Sequence, residues 1–511
     1  MNYLVGLVLI FTIFYFFLQY KKNDKNMNSK IPGPKGIPIL GNLLSMKGDL
    51  HLKLQEWYKQ YGVIYRIKMG NVETVVLTEY PIIREAFIGN SNSFVNRFQR
   101  KSRLKLNNGE NLVIVNGDIH NKLKTLVLSE MTNQRIKKYE TSFIDNEIKK
   151  LFKVLDEHAD TGKPIILNNH IKMFSMNIVL CFTFGLNYSY PYDEFEKASE
   201  FIKLMVEFFN IAGQPIISDF IPSLEPFIDT SNYLNTYKRI FNYTSDLITK
   251  FKNENEIHNN INDNNKSLAD KPILSKLLQS FENGEISWDS VVSTCIDLQT
   301  AGADTSANTI LYCLLELINN PNIQSKVYDD IKQAIIQSKE NENQNDNENQ
   351  EQTEEIITLS FNKYRTLAPY LSMVVKETFR KYPSGTIGLP HVTSEDVELN
   401  GYKICAGTQI IQNIWATHRN EKQFSEPDSF IPERFISQQQ SANSNLIHFG
   451  CGVRDCIGKS LADSEIFTML ASLINRYEFT NPNPSTPLNE IGKFGITYSC
   501  PENKIIIKKR F

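Results

Sequence analysis

Residues Phe449 to Gly458 read Phe-Gly-Cys-Gly-Val-Arg-Asp-Cys-Ile-Gly, and no other stretch of the 511 residues restricts the fold so tightly. A helix is expected from about Ile457 to Arg476, which puts Cys456 at its mouth. The first N–H groups of a helix lack intrahelical partners and carry partial positive charge, and both favour a thiolate over a thiol. Gly458 has no Cβ, so the backbone can approach whatever the sulfur binds. Gly450 and Gly452 permit the sharp turn that presents it. Arg454 fixes a positive charge two residues before the cysteine. The chain must therefore fold so that a turn, a helix start and a guanidinium meet around one sulfur.

An anionic sulfur beside an arginine suits a haem, the sulfur for the iron and the guanidinium for a propionate. A lone cysteine is ordinarily a small buried hydrophobe. Phe, Gly, Arg, Cys and Gly at these offsets should arise by chance on the order of once in ten thousand chains of this length, which reverses that ordinary reading. Cys451 is a rival, but the glycine spacing and the helix start favour Cys456. The stretch resembles the haem-thiolate signature of the cytochrome P-450 superfamily, F-x-x-G-x-R-x-C-x-G, with every fixed position filled. The resemblance implies that Cys456 is the axial metal ligand of a haem b, in a cofactor loop formed by Phe449, Gly450, Arg454 and Gly458.

Composition sets few limits. The chain is 41% hydrophobic and 22% charged, with a formal net charge of −2. That is globular, and it argues against nucleic acid as a partner. Length alone suggests two or three domains, but no linker separates two cores, so residues 43–511 read as a single catalytic domain. Seven cysteines (181, 295, 313, 405, 451, 456, 500) are odd in number and without paired spacing. They match neither a disulfide framework nor a zinc site. The absence of C-x-x-C-H argues against covalently attached haem.

Tyr3 to Leu18 is an unbroken run of apolar residues, Gly6 and Thr12 aside. As a helix it would be about 24 Å long, slightly short of a ~30 Å hydrocarbon core. No basic residue precedes it and no small-x-small cleavage site follows. Residues 1–20 are thus expected to be a retained single-pass membrane anchor rather than a cleaved signal peptide. Lys21, Lys22, Lys25 and Lys30 follow, which places the C-terminal side in the cytoplasm. An endoplasmic reticulum membrane is the expected location, and the N-x-S/T sites at Asn187 and Asn242 would face away from glycosylation. Residues 21–42 form a basic, proline-rich hinge in which Pro32, Pro34 and Pro38 forbid a helix. It resembles the hinge of microsomal family members. Two polar tracts, 252–267 and 340–355, are expected to be disordered loops.

Ser287 to Leu317 is the longest helical candidate, nearly uncharged in its middle and so expected inside. It contains Ala301-Gly302-Ala303-Asp304-Thr305. Asp and Thr inside an apolar helix are costly unless used or satisfied. Thr305 could bond back to the Ala301 carbonyl, and Gly302 would leave room beside the backbone, opening the helix locally. The bland alternative is a kink with a satisfied hydroxyl. The stretch is similar to the family's oxygen-binding motif, A-G-x-D-T. By resemblance, Asp304 and Thr305 would be catalytic and relay protons to bound dioxygen.

Other positions follow from the same likeness. Where members carry Trp and Arg four apart, this chain has His120 and Lys124; on one helix face, both can donate to a propionate, or both can be solvated. His391, after Pro390, is a further propionate candidate, with an exposed strand residue as the alternative. Glu377 and Arg380 resemble the family's E-x-x-R, with Arg434 of Pro432-Glu433-Arg434-Phe435 as third partner. The Ile496-Thr497-Tyr498 tip of an expected hairpin from Gly495 to Ile507 would touch substrate.

The resemblance implies a mainly α fold with small β-sheets (α+β), the haem held between a long central helix and the cysteine loop. The implied reaction is monooxygenation of a lipophilic small molecule by O2. The chain has no G-x-G-x-x-G and no flavin region, so electrons would come from a separate NADPH-dependent reductase. Lys122, Lys124 and Lys459 would help dock an acidic partner. A haem-thiolate isomerase or dehydratase is one alternative, and a non-enzymatic haem-binding protein is another. The substrate itself is unreadable beyond the membrane anchor and the apolar pair Ile387 and Leu389.

Overall fold

The computed structural model describes residues 30–106, 109–185, 195–213, 216–259, 272–343, 358–436 and 445–510. The expected anchor, the start of the hinge and Asn187 lie outside these. Among the described residues no helix is long and apolar enough to cross a membrane.

Among the described residues the architecture is mainly helical with three small sheets. Strands β1 (Ile64–Met69) and β2 (Val72–Leu77) form a hairpin turning at Gly70-Asn71. Strands β3 (His391–Val392) and β6 (Gln409–Gln412) complete that sheet in the order β1-β2-β6-β3. Strands β4 (Val397–Leu399) and β5 (Tyr402–Ile404) pair with each other, as do β7 (Tyr477–Thr480) and β8 (Ile506–Lys509). The segment before β8 therefore does not form the expected hairpin from Gly495 to Ile507. Ile506–Lys509 instead pairs with the strand that continues the cysteine helix, where Phe479 and Ile507 are both buried. What remains of the expected tip is a tight loop closed by the Lys493–Ser499 bridge.

Four helices position the site: α1 (Asn168–Phe184), α2 (Trp288–Asn319), α3 (Pro369–Lys381) and α4 (Lys459–Arg476). Helix α2 starts where Ser287 accepts a hydrogen bond from the Ser290 N–H at 3.0 Å, a side-chain N-cap. Its apolar surface is buried on nearly every side, with α1 and α4 packed against it. Gly302 explains the closeness of α1. A Cβ at that position would stand 2.5 Å from a Val179 methyl, so the glycine serves helix packing. It does not open the helix, which runs unbroken through Ala301–Thr305.

The polar tracts begin later than expected. One helix runs over Ser231–Asn259 and another over Pro321–Asn343, so residues 252–259 and 340–343 are helical. Once a helix is nucleated, each added residue costs little, and Lys, Glu and Gln are good formers. Residues 260–271 and 344–357 lie outside the described residues.

Candidate functional site

Two backbone bonds shape the cysteine loop. The Cys456 N–H donates to the Phe449 carbonyl at 2.8 Å, and the Gly450 N–H to the Ile447 carbonyl at 2.8 Å. Gly450 and Gly452 have φ of 78° and 81°. At Gly452 a Cβ would lie 2.2 Å from the Phe87 carbonyl oxygen, so only glycine fits. Gly458 caps α4, and a Cβ there would meet only the Cys456 sulfur, at 4.0 Å. Cys456 is accessible to solvent, although many protein atoms lie around it. Burial pushes its thiol up and outweighs the opposing pull of the Gly458 N–H. The helix start alone therefore does not hold the sulfur as an anion; a bound cationic centre would. Cys451 is packed away in a separate apolar cluster with Ile83 and Phe87.

Beside the loop lies a group of cationic and imidazole side chains. Arg97, which the sequence reading missed, donates from Nη1 to the Leu389 carbonyl at 2.9 Å and from Nη2 to the Arg454 carbonyl at 3.2 Å. His391 is buried. Its Nδ1–H donates to the Phe94 carbonyl at 2.7 Å, leaving Nε2 to accept from Arg97 Nη1 at 2.5 Å. Both ring nitrogens are thus engaged with protein, and His391 stands behind Arg97. Burial and the neighbouring Arg97 push the His391 imidazole well below its usual range, so it is neutral. Arg454 donates to the carbonyls of Val95 (3.2 Å) and Val115 (2.8 Å) and to Asn116 Oδ1 (2.9 Å). Asn116 also accepts from the Arg97 N–H at 2.7 Å, so one side chain ties both arginines together.

Among the described residues no carboxylate pairs with Arg97 or Arg454. Burial lowers Arg97 to about 9, with Arg454 adding to the effect, and burial lowers Arg454 to about 10. The Arg97 Nε is buried without a partner. Two desolvated guanidiniums without an acid between them make an anion site.

His120 and Lys124 share a helix face as expected. His120 is buried, and burial followed by the nearby Arg454 lowers it to about 4. Lys124 reaches the cysteine loop, where Nζ donates to the Val453 carbonyl and lies 3.6 Å from the Asp455 carboxylate. Both engagements hold the loop.

On α2 the Thr305 hydroxyl donates to the Ala301 carbonyl at 2.8 Å. Ala301 is exposed in mid-helix, between buried Gln299 and buried Ala303. Asp304 is held on three sides: Lys172 Nζ lies 2.9 Å from Oδ1, Asn308 donates to Oδ2 at 2.9 Å, and the Thr497 hydroxyl donates to Oδ2. Two turns earlier, Asp297 Oδ2 accepts from the Val113 N–H at 3.0 Å, and burial pushes its carboxyl up to about 7. It pins the 109–116 segment to α2. Lys172 and Asp297 carry no motif, and only their contacts single them out; Thr497, expected at a tip touching substrate, is bonded to Asp304 instead.

The charged set on α3 forms as the sequence suggests. Arg380 and Glu377 are fully buried and joined by two 2.8 Å bonds, and Arg434 Nε lies 3.1 Å from Glu377 Oε1. Arg380 also donates to the carbonyls of His418, Pro427 and Ser429. It thereby fixes the strand-poor segment that leads to the cysteine loop.

The donor set fits a haem. Cys456 offers an accessible sulfur for iron, and Arg97 and Arg454 offer unpaired charge for carboxylates. The Cytochrome P450 family description matches residues 31–508. The chain is 51% identical over 505 residues to probable cytochrome P450 513A3 of Dictyostelium discoideum, covering 99% of this chain and 98% of that one. It is 45% identical over 518 residues to probable cytochrome P450 513E1 of the same organism, covering 99% of both. In structure it is similar to a zebra fish cytochrome P450 described with abiraterone, at 20% identity and a TM-score of 0.71, over 90% of this chain and all of that one. The signature loop, the charged set behind it and these likenesses agree: the chain belongs to the cytochrome P450 family of haem-thiolate monooxygenases.

Proposed function

We propose that this protein inserts one oxygen atom from O2 into a lipophilic small molecule, using haem b and electrons from a separate NADPH-dependent reductase. The observation that carries the reading is the accessible Cys456 sulfur in a loop whose Arg454, with Arg97 bonded to it, is a half-buried guanidinium lacking a carboxylate among the described residues. When bound, the haem supplies the activation of dioxygen. Cys456 would donate to the iron, and Gly458 leaves the space beside the sulfur clear. Arg97 and Arg454 would take the propionates, with His391 and Asn116 orienting them. His120 and Lys124 border this group, His120 as a neutral donor and Lys124 as a clamp on the loop. Phe449, Gly450 and Ala301 shape the two walls. The Thr305 hydroxyl is held by the Ala301 carbonyl, one residue from the Asp304 carboxylate, so a proton acceptor and a hydroxyl share one turn.

Two features support a membrane-bound protein with its catalytic part on the cytoplasmic side of the endoplasmic reticulum. The apolar 3–18 run is one. The other is a set of exposed apolar side chains, Ile37, Ile39, Leu44, Ile217 and Phe227. Their segments meet at one hairpin tip, where Gly70 N–H donates to the Leu40 carbonyl and Asn71 N–H to the Phe220 carbonyl. Lys122 and Lys459 are each paired on their own surface, with Glu285 and Asp455. An acidic reductase would have to exchange those pairs.

The test is the reduced carbon-monoxide spectrum of purified protein. The parent should show the thiolate-ligated band and Cys456→Ala should lose it; an unchanged band would sink the assignment. With reductase and a lipophilic substrate panel, oxygen-dependent NADPH consumption with product supports the monooxygenase. Product without NADPH or O2 would favour the isomerase, and none at all the haem binder.

A further inference from the structure

The loop Lys493–Ser499 and the residue after it are fastened to the acid-bearing turn of α2 at three places. The Thr497 hydroxyl donates to the Asp304 carboxylate. The Tyr498 N–H donates to the Ser384 carbonyl at 2.8 Å, while the Ser384 hydroxyl donates to the Thr305 carbonyl at 3.1 Å. The Cys500 N–H donates to Asn308 Oδ1 at 3.0 Å, and Asn308 in turn donates to Asp304. On its other side the loop meets the end of the Phe195–Ala212 helix: a Cβ on Gly213 would stand 3.0 Å from the Ile496 N. The loop therefore bridges a helix end and the Asp304–Thr305 turn.

Three donors hold Asp304. Lys172 sits on α1 and Asn308 on α2 itself, so both belong to packed helices. Thr497 alone of the three is carried on a loop, and it is buried. A hydrogen bond to a charged group contributes more than a neutral one, so its loss frees the carboxylate to turn. We propose that Thr497 is a positioning residue for Asp304, and that through this one bond the 493–499 loop sets where the carboxylate points. The proposal rests on Asp304 being the proton-handling group of the monooxygenase reading. What lies against Ile496 would then govern how efficiently protons are supplied.

The test uses the haem-loaded protein with reductase, NADPH and dodecanoic acid as the lipophilic probe. Thr497→Val keeps the shape and removes the donor; Thr497→Ser keeps the donor. Hydrogen exchange of the 495–500 amides and the share of NADPH electrons released as peroxide are measured, the latter in H2O and D2O. Thr497→Val should speed exchange at 495–500 by about tenfold, the worth of one charge-assisted bond. It should also raise the peroxide share and change the D2O effect, with its reduced carbonyl band unaltered. Thr497→Ser should match the parent. Unchanged exchange in Thr497→Val, or a Thr497→Ser variant as altered as Thr497→Val, overturns the proposal. Asp304→Asn separates the two levels. If it raises peroxide release but Thr497→Val does not, only the role of Thr497 falls. If Asp304→Asn changes neither peroxide release nor the D2O effect, the reading of Asp304 falls, and the positioning role with it.

Discussion

Arg380→Lys keeps the charge at a fully buried ion pair and removes only the planar fork. Arg380 donates five hydrogen bonds: two to Glu377 at 2.8 Å and one each to the carbonyls of His418 (3.1 Å), Pro427 (2.7 Å) and Ser429 (3.0 Å). A lysine ammonium has three donors on one atom. At least two of the five bonds are lost; the Glu377 and His418 acceptors are buried, and those of Pro427 and Ser429 half-buried. Each buried acceptor left alone costs about 1–3 kcal/mol, so Arg380→Lys should destabilise by about 2–6 kcal/mol. Against a typical total of about 5–15 kcal/mol, that is a large share. Arg434→Ala should cost less, about 1–3 kcal/mol. It removes a single 3.1 Å bond to Glu377 and bonds to the Ser425 and Glu426 carbonyls, which lie nearer solvent. Urea titrations of the haem-loaded proteins, followed by the carbonyl band and far-ultraviolet circular dichroism, give the comparison. Loss of the carbonyl band should lead loss of helix in Arg380→Lys, because the segment freed first is the one leading to Cys456. A midpoint equal to the parent's, or a smaller effect than Arg434→Ala, would refute the claim that fork geometry holds this segment.

Four further outcomes are expected. Gly452→Ala forces a Cβ to 2.2 Å from the Phe87 carbonyl at φ 81° and should abolish the thiolate carbonyl band while far-ultraviolet dichroism changes little. Gly302→Ala should destabilise by about 1–3 kcal/mol through its clash with Val179, and adding Val179→Ala should recover most of this in a double-mutant cycle. Arg97→Met should speed haem transfer to apomyoglobin by about tenfold, and His391→Phe should act in the same direction by releasing Arg97. The Glu465 carboxyl sits among protein atoms with the Ser175 and Ser306 hydroxyls, and burial raises it from 4.5 to about 8. The folded protein thus keeps a proton there that the unfolded chain gives up above 4.5. That contribution to stability is complete below about pH 4.5 and disappears as pH rises through about 8. Glu465→Gln should flatten the stability profile across that window; an unaltered profile would show that Glu465 is already ionised.

Local chemistry made much of this protein legible in one dimension. The cysteine loop could be read because Gly450, Gly452, Arg454 and Cys456 act within eight residues of one another, and the backbone conformations they need are properties of the residues themselves. Helix α2 showed in its apolar run and its Ser287 cap, and the Thr305 back-bond in a spacing of four. The set of Glu377, Arg380 and Arg434 needed a family likeness, since Arg434 lies far along the chain, and burial then turned an ordinary helix pair into a rigid one. Other features came into view only when distant segments met. Arg97 has no pattern around it, yet it shares a hydrogen bond with His391, 294 positions later. That contact turned a candidate propionate ligand into the support of another. Gly302 looked like an opening in α2 until Val179 of α1 filled the space beside it. The partner of Ile506–Lys509 was decided by burial against β7, not by the nearest turn. Sequence determined the groups whose chemistry depends on near neighbours in the chain. Tertiary structure decided which charges lose water together, and with that which of them are free to meet a ligand.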